Sequence, residues 1–286
     1  MSVDRLPLVS ITMPVYNAAE TVEEAVGSVL RQTYANLEIL VVDDGSTDQS
    51  MVIVEALHDP RVRIVRLAHG GIVRARNTGC AEARGKYLAV MDSDDVADER
   101  RIAAQVEYLE RHPDVGLLGT HARFVRDDGR EWLFRPPDDD RALRRCLLWD
   151  NPFVHSSVML RRRALEDAGD YTQGIVANED YRLWIRMART WRLGMVPEVL
   201  VTYRVRSTSA SRGTSRPIAL RARFAAQWEA AKMLGPWHQA IGALGVTGVA
   251  YLLSRAGGRF DGRAGDATGG LAGRLKGFRK GDPGDR

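Results

Sequence analysis

The chain has 286 residues, of which 44% are hydrophobic and 27% are charged, as in an ordinary folded protein. This composition excludes collagen-like, disordered and disulfide-dense chains. The net charge of +4 is carried by residues 255–286, which hold eight basic and four acidic residues. The rest of the chain is balanced, so a nucleic-acid-binding protein is not indicated.

The sequence gives no sign of secretion or of a membrane span. Its first residues lack the apolar core of a signal peptide. An apolar run at 241–253 is interrupted by three glycines and is shorter than the roughly 20 residues that a spanning helix needs. Cys80 and Cys146 have no metal-binding spacing, so we expect reduced thiols and a cytoplasmic protein.

Strand and helix patterns alternate along the first 111 residues. Short apolar runs indicate strands, and apolar residues at helical spacing indicate helices between them. Thr21 and Glu24 fit a capping box at the start of the first helix. This repetition predicts an α/β protein with a parallel sheet that is buried on both faces. The predicted strands are 8–13, 37–42, 62–67 and 87–91, and the predicted helices are 21–30, one ending near 58, 72–83 and 98–111.

The pattern loosens after residue 116. Asp127, Asp128 and Gly129 lie between two apolar segments and predict a hairpin. We predict a main domain over 1–213, a helical region over 214–254 and a flexible, basic, glycine-rich tail over 255–286. Further predicted elements are strands at 156–160 and 199–205 and helices at 178–190 and 217–233.

Polar residues follow three of the predicted strands directly. In parallel sheets such residues meet at one edge, where ligands bind. Clustered carboxylates are costly unless cations or hydrogen-bond donors neutralise them, and oxygen ligands suit Mg²⁺ or Mn²⁺. Each segment alone also fits a turn or a helix cap. The segments are Pro14-Val15-Tyr16-Asn17, Asp43-Asp44-Gly45-Ser46 and Asp92-Ser93-Asp94-Asp95.

Read together, these segments resemble the family 2 glycosyltransferases with the GT-A fold. The resemblance covers about 8–211 and implies a Rossmann-like, mostly parallel sheet flanked by helices, with a C-terminal helical extension outside the match. Its other motifs are Ser28-Val29-Leu30-Arg31-Gln32-Thr33-Tyr34, Ala75-Arg76-Asn77-Thr78-Gly79, His155-Ser156-Ser157-Val158-Met159 and Asn178-Glu179-Asp180-Tyr181-Arg182-Leu183-Trp184.

The resemblance implies a site for a nucleotide-diphosphate sugar. Tyr16 would stack on the base and Asp44 would accept a base N–H, with Pro14 and Asn17 in the same segment. Arg76 would face the nucleotide; Arg74 is the alternative, and a solvated arginine on the helix face is the plainer interpretation of Arg76.

The same resemblance implies a Mn²⁺ or Mg²⁺ site in the acidic run. Asp94 would be the first metal ligand, and Asp92 would be shared between metal and ribose. Asp95 competes with Asp94 for this role.

In the family, the Asp of the Glu-Asp pair is the general base, which here is Asp180, preceded by Glu179. An inverting transfer needs one carboxylate to take the acceptor proton. The alternative is that both residues only complement a helix dipole, which would lower the carboxylate pKa. His155 is either a core histidine or lies near the acceptor or diphosphate. Arg206 stands where many members have a histidine, and it can pair with phosphate but cannot bind metal.

These expectations add up to an inverting, metal-dependent glycosyltransferase with a nucleotide-sugar donor, UDP-sugar favoured, and a glycan or lipid-linked acceptor. The expected setting is cell-surface polysaccharide or glycolipid synthesis. The expected location is cytoplasmic. The basic C-terminal region either makes peripheral contact with the inner face of the membrane or consists of a core-packing helix and a solvated tail. A non-catalytic sugar-nucleotide-binding protein and a sugar nucleotidylyltransferase are the alternatives.

Overall fold

A computed structural model describes residues 6–174, 177–206, 216–235 and 237–255. The predicted tail therefore lies outside the described residues except for Arg255. The strands are β1 (Val9–Val15), β2 (Leu37–Asp43), β3 (Val62–Arg66), β4 (Tyr87–Val90), β5 (Val96–Ala97), β6 (Val115–Arg126), β7 (Glu131–Phe134), β8 (Met159–Arg161) and β9 (Arg192–Val205).

Helices lie between most of these strands and continue after the last one. The helices are α1 (Val22–Leu30), α2 (Ser50–Ala56), α3 (Ile72–Glu82), α4 (Arg101–Arg111), α5 (Asp140–Leu147), α6 (Arg162–Ala168), α7 (Glu179–Met187), α8 (Arg216–Leu234) and α9 (Trp237–Arg255).

Among the described residues, the strands form one sheet in the order β3-β2-β1-β4-β8-β6-β9-β5, with β7 paired to β6. Strands β1 to β4 are mutually parallel, and β9 runs parallel to β6. Strand β8 joins the two halves and is antiparallel to both β4 and β6. The predicted α/β architecture with a helix-flanked sheet is confirmed.

The sheet separates two hydrophobic layers, and alternate residues of one strand supply both. Ile39 and Val41 of β2 belong to one layer, whereas Leu40 packs into the other. Strand β4 divides in the same way. Side chains of a strand alternate between faces, so continuous apolar runs are what a sheet covered on both sides requires.

Several local predictions need correction. The capping box at Thr21 is wrong, because its side chain makes no cap hydrogen bond and instead lies 3.4 Å from the Ala18 carbonyl. The strand predicted at 156–160 is the shorter β8, preceded by a 3₁₀ turn at His155–Ser157. Helices α5 and α6 were not predicted, and β9 begins seven residues before its predicted start. The hairpin predicted around Gly129 is confirmed as the β6–β7 pair.

The predicted C-terminal helix at 217–233 is α8, which packs against α7, α5 and α9. Within the described part of the chain, no helix is both long enough and apolar enough to cross a bilayer.

Candidate active site

The parallel strands bring the first two polar segments side by side. Val15 of β1 is in register with Asp43 of β2, so Tyr16 and Asp44 leave the sheet together. Pro14 is buried within β1. Asn17 has a φ of 49°, and its side-chain oxygen accepts a hydrogen bond of 2.8 Å from the Thr47 amide. Pro14 and Asn17 therefore shape this edge, and Tyr16 is its exposed aromatic residue.

Asp44 holds the loop that leads into α3. Its two carboxylate oxygens accept hydrogen bonds from the amides of Gly70 (2.9 Å) and Gly71 (2.8 Å). The Nδ1 of His69 lies 2.9 Å from the same carboxylate. A side chain at Gly45 would come within 2.8 Å of the His69 backbone nitrogen, so glycine permits this close approach. The buried Asp44 carboxylate is thus surrounded by donors of its own chain.

The ring of Tyr16 stacks on His69, with centroids 4.2 Å apart and an interplanar angle of 25°. We call Tyr16, Asp44 and His69 the base-side cluster. Sequence reasoning missed His69. The available signal was its position before two glycines that open a helix, where free amides commonly bind anions.

Arg76 of α3 lies deeper in the site and joins two acidic segments. Its guanidinium pairs with Glu179 through Nη1 and with Asp92 through Nη2, the latter at 3.2 Å. Burial opposes the charge, but the two carboxylates outweigh it and raise the pKa of Arg76. The interpretation of Arg76 as a solvated helix-face residue is therefore wrong. Arg74 is exposed and donates to the Ala68 carbonyl instead.

The three carboxylates of the acidic run have different surroundings. Burial raises the pKa of Asp92, but Arg76 and His155 outweigh this effect and hold it below its usual value. Asp95 is fully buried and accepts hydrogen bonds from the Ser156 hydroxyl and, at 2.8 Å, from the Arg204 amide. Burial and the neighbouring carboxylates raise the pKa of Asp95 well above its usual value.

Asp94 makes no hydrogen bond or ion pair with another residue in the described part of the chain. It is partly exposed. Burial and repulsion from Asp92 raise its pKa to about 6, although Arg206 and Arg204 act in the opposite direction. Asp94 is therefore the carboxylate of this run without a hydrogen-bond or ion-pair partner among the described residues, whereas both oxygens of Asp95 accept hydrogen bonds.

Within the described residues, no three His, Cys, Asp or Glu side chains are close enough to hold a metal ion by themselves. The donor set nevertheless fits a hard divalent cation, because Mg²⁺ is usually held by one or two carboxylates together with waters and substrate phosphates. The unpaired Asp94, with a pKa raised by its neighbour Asp92, has the surplus negative charge that a cation would neutralise.

Glu179 and Asp180 are the first two residues of α7. The carboxylate of Asp180 accepts a hydrogen bond of 2.9 Å from the side-chain NH₂ of Asn151 and one of 2.7 Å from the backbone N–H of Tyr181. Burial and the adjacent Glu179 raise its pKa, against the opposing charges of His155 and Arg76. The lowering expected from the helix N-terminus is therefore wrong, since desolvation and a like charge outweigh the dipole.

Sequence reasoning also missed Asn151, which no local motif marks. Its side-chain oxygen accepts from the Phe153 amide at 3.0 Å, and this fixes the direction of its NH₂ group toward Asp180.

His155 is buried, as the interpretation as a core histidine predicts, and it also lies beside Asp92 of the site. Its Nδ1 lies 3.5 Å from the Asp92 carboxylate, and its Nε2 lies 3.0 Å from the Tyr171 hydroxyl. The His155 ring also stacks on the Trp184 ring, with centroids 6.0 Å apart. His155 is thus a core residue that orients a carboxylate of the site.

Arg206 lies at the rim, where its guanidinium pairs with Glu20 at 2.8 Å. Its charge contributes to lowering the pKa of Asp94, so its field reaches the acidic run.

Helix α3 links the two halves of the site. The loop before its first turn binds Asp44, and Arg76 in its second turn binds Asp92 and Glu179. We call Arg76, Asp92, Asp94, Glu179 and Asp180 the catalytic cluster. It joins residues that lie up to about a hundred positions apart in the sequence, since Arg76 and Glu179 are separated by 103.

Comparison with known proteins identifies this combination of fold and motifs. The profile of Glycosyl transferase family 2 matches residues 10–169, which is more than half of the chain. The chain belongs to glycosyl transferase family 2. This glycosyltransferase is 30% identical over 222 residues to an uncharacterized glycosyltransferase of Haemophilus influenzae, a match that covers 73% of this chain and 68% of that protein.

Solved structures show that the glycosyltransferase has the GT-A fold. Staphylococcus aureus TarS 1–349 in complex with UDP-GlcNAc aligns with a TM-score of 0.70 and 18% identity, over 90% of this chain and 75% of that one. The mannosyltransferase PcManGT from Pyrobaculum calidifontis, in complex with GDP-Man and Mn²⁺, aligns with a TM-score of 0.62 and 24% identity, over 96% of this chain and 82% of that one. At these identities the likeness concerns the fold.

Proposed function

We propose that this glycosyltransferase is inverting and metal-dependent, and that it moves a sugar from a nucleotide-diphosphate sugar to a hydroxyl of a glycan or lipid-linked acceptor. The pathway would be cell-surface polysaccharide or glycolipid synthesis. The observation that carries the proposal is the catalytic cluster, in which Arg76 connects the start of α7, with Asp180, to the end of β4, with Asp92. In this proposal the general base and the diphosphate site lie next to each other.

Asp180 is proposed as the general base. Burial and the adjacent Glu179 raise its pKa, which makes it a stronger base than an ordinary aspartate. As the acceptor oxygen forms its bond to the anomeric carbon, the hydroxyl proton passes to the Asp180 carboxylate. The bond between the anomeric carbon and the diphosphate oxygen breaks with its electrons on the diphosphate. Attack opposite the leaving group inverts the anomeric centre.

Asp94 is proposed to hold Mn²⁺ or Mg²⁺, with Asp92 shared between metal and ribose. When bound, the cation supplies charge stabilisation on the leaving diphosphate. We assign two arginines of the chain to binding the same diphosphate. These are Arg206, which pairs with Glu20 in the structure, and Arg76, which would have to leave Glu179.

The base-side cluster is proposed to bind the nucleobase. Tyr16 supplies the stacking surface and the Asp44 carboxylate supplies the acceptor for a base N–H. A uracil donor is favoured, since the TarS structure holds UDP-GlcNAc, although the PcManGT structure holds GDP-Man. In the structure the His69 ring lies on Tyr16, so base stacking on that face requires the ring to move.

Turnover of a panel of nucleotide sugars by the purified chain tests the proposal. With Mn²⁺ and an acceptor we expect release of the nucleoside diphosphate. Asp180→Asn should lower kcat by about 10³-fold with donor affinity retained, whereas Asp138→Asn, an exposed carboxylate outside the site, should not change it.

Two outcomes contradict this function. Binding of a donor, with no turnover of any nucleotide sugar in the panel, would indicate a sugar-nucleotide-binding protein. Formation of a nucleotide sugar from a sugar phosphate and a nucleoside triphosphate, unaffected by Asp180→Asn, would indicate a nucleotidylyltransferase.

A further inference from the structure

Helix α9 packs on the core through Ala243 and Thr247, which are buried, and through Leu244, which is partly buried. It also runs close to Trp149, since a Cβ atom at Gly242 would come within 2.8 Å of that ring. The packed side of the helix therefore consists of small residues and one leucine.

Three branched apolar residues of α9 lie outside this packed side. Ile241, Val246 and Val249 are 64%, 50% and 56% exposed. A helix on a water-facing surface normally buries such residues and exposes polar ones. In addition, residues 237–254 contain no Asp, Glu, Lys or Arg. An apolar, uncharged outer face of this kind marks an interaction surface.

Helix α8 extends this surface and adds positive charge to it. Phe224 is exposed next to α9, since a Cβ atom at Gly248 would lie 3.6 Å from its ring. Trp228 is also exposed, and the Lys232 ammonium lies 5.3 Å from its ring centroid. Arg221 is exposed at helical spacing from Phe224. Aromatic residues flanked by Lys and Arg are typical of the boundary between lipid head groups and acyl chains.

The acidic residue of α8 does not offset this charge on the outer face. Glu229 is paired with Arg182 of α7 at 2.7 Å. The sequence after α9, residues 256–286, adds seven basic and four acidic residues. The surface is thus complementary to an anionic partner, and two copies placed face to face would bring like charges together.

We infer that the outer face of α8 and α9, formed by Phe224, Trp228, Ile241, Val246 and Val249, docks on an anionic lipid bilayer. Arg221 and Lys232 lie among the head groups, and the apolar side chains enter the acyl boundary. This placement does not depend on which sugar is transferred. It would bring the enzyme to acceptors that are anchored in a membrane.

Sedimentation of the full chain with vesicles tests the inference. We expect binding to vesicles of phosphatidylglycerol and phosphatidylcholine, little binding to phosphatidylcholine alone, and release by salt. The double variant Val246→Asp/Val249→Asp should bind at least about tenfold more weakly, because charged groups are excluded from the acyl boundary. Val52→Asp is the matched control, since Val52 on α2 is equally exposed, at 59%, but lies outside this surface.

Thermal unfolding of the variants shows whether they are folded, and turnover with a water-soluble acceptor, measured in the same preparations, should be unchanged. Absent binding by the parent chain, or equal binding by the double variant, would overturn the inference. So would a dimer in lipid-free solution that only the double variant disrupts, which would assign the surface to a second copy. Turnover without vesicle binding overturns this inference alone, and vesicle binding without turnover overturns only the proposed function.

Discussion

The base-side cluster and the catalytic cluster lie at the same edge of the sheet but differ in how their carboxylates are compensated. Each oxygen of Asp44 faces a backbone amide of the α3 loop, so this group is satisfied by its own chain. Three carboxylates crowd the end of β4, and Asp94 has no hydrogen-bond or ion-pair partner in the described residues, while burial and Asp92 raise its pKa. The first cluster is thus satisfied by folding alone, whereas the second is the one that we propose to be completed by a bound cation.

The largest effect should come from removing the cation that both acidic segments share. Arg76→Ala leaves Asp92 and Glu179 facing each other in a buried site. We expect a loss of about 3 kcal/mol in the free energy of unfolding, as for other broken buried pairs, together with loss of turnover. Urea unfolding measures the first quantity. Arg74→Ala changes the exposed neighbour on the same helix and should lower the free energy of unfolding by less than about 0.5 kcal/mol. Equal losses for the two variants would contradict the role of Arg76 in joining the two acidic segments.

Asp94→Asn separates function from stability. Turnover should fall by about 10²-fold or more, because the proposed metal ligand is lost. Without metal, however, the free energy of unfolding of the variant at pH 7.5 should exceed that of the parent chain by about 1 kcal/mol, a figure that allows for solvent screening.

The sign of this stability change follows from the raised pKa of Asp94, about 6. Ionised Asp94 destabilises the fold above that pH. The penalty fades as the pH falls through 6 toward the usual value of 3.8. Unfolding measured between pH 4.5 and pH 8 checks this, and a gain that does not shrink at low pH would show that the buried negative charge of Asp94 is not its source.

Asn151→Ala tests how Asp180 is oriented. The Asn151 amide donates to the ionised form of Asp180, so its loss should raise the pKa of the base further. The acid limb of the kcat profile should move to higher pH, and kcat at neutral pH should fall by about threefold to tenfold. Asn36→Ala also removes a side-chain hydrogen bond, to the Leu6 carbonyl, but outside the site. An identical pH profile for parent and Asn151→Ala would exclude a positioning role.

The smallest effect concerns the stacked rings of the base-side cluster. A double-mutant cycle of Tyr16→Ala and His69→Ala should give a coupling free energy of about 0.5 kcal/mol, since both rings are largely exposed. Tyr16→Phe keeps the stack and should keep the coupling. A coupling of zero would mean that the rings do not interact in solution.

Local sequence was sufficient to predict the parallel half of the sheet and the residues at its edge. Strands β1, β2 and β4 are runs of mostly buried apolar residues, the edge strand β3 is half-buried, and all four alternate with helices, a pattern that admits few topologies. Predictions failed where short elements depend on distant partners. Strand β5 has two residues and pairs with β9, about a hundred residues later. His155 and Asn151 acquire their roles from Asp92 and Asp180, which no local pattern links to them.

The sequence by itself determined which strand ends carry acidic residues, because periodicity locates the strands. The fold family and the candidate base on α7 followed from the family resemblance of its short motifs. The tertiary structure decided the state of each group. It buried Asp95 against Ser156, left Asp94 without a hydrogen-bond or ion-pair partner among the described residues, turned Arg76 inward and raised the pKa of Asp180. Desolvation and charge pairing depend on what surrounds a side chain in space, and those neighbours come from segments far apart along the chain.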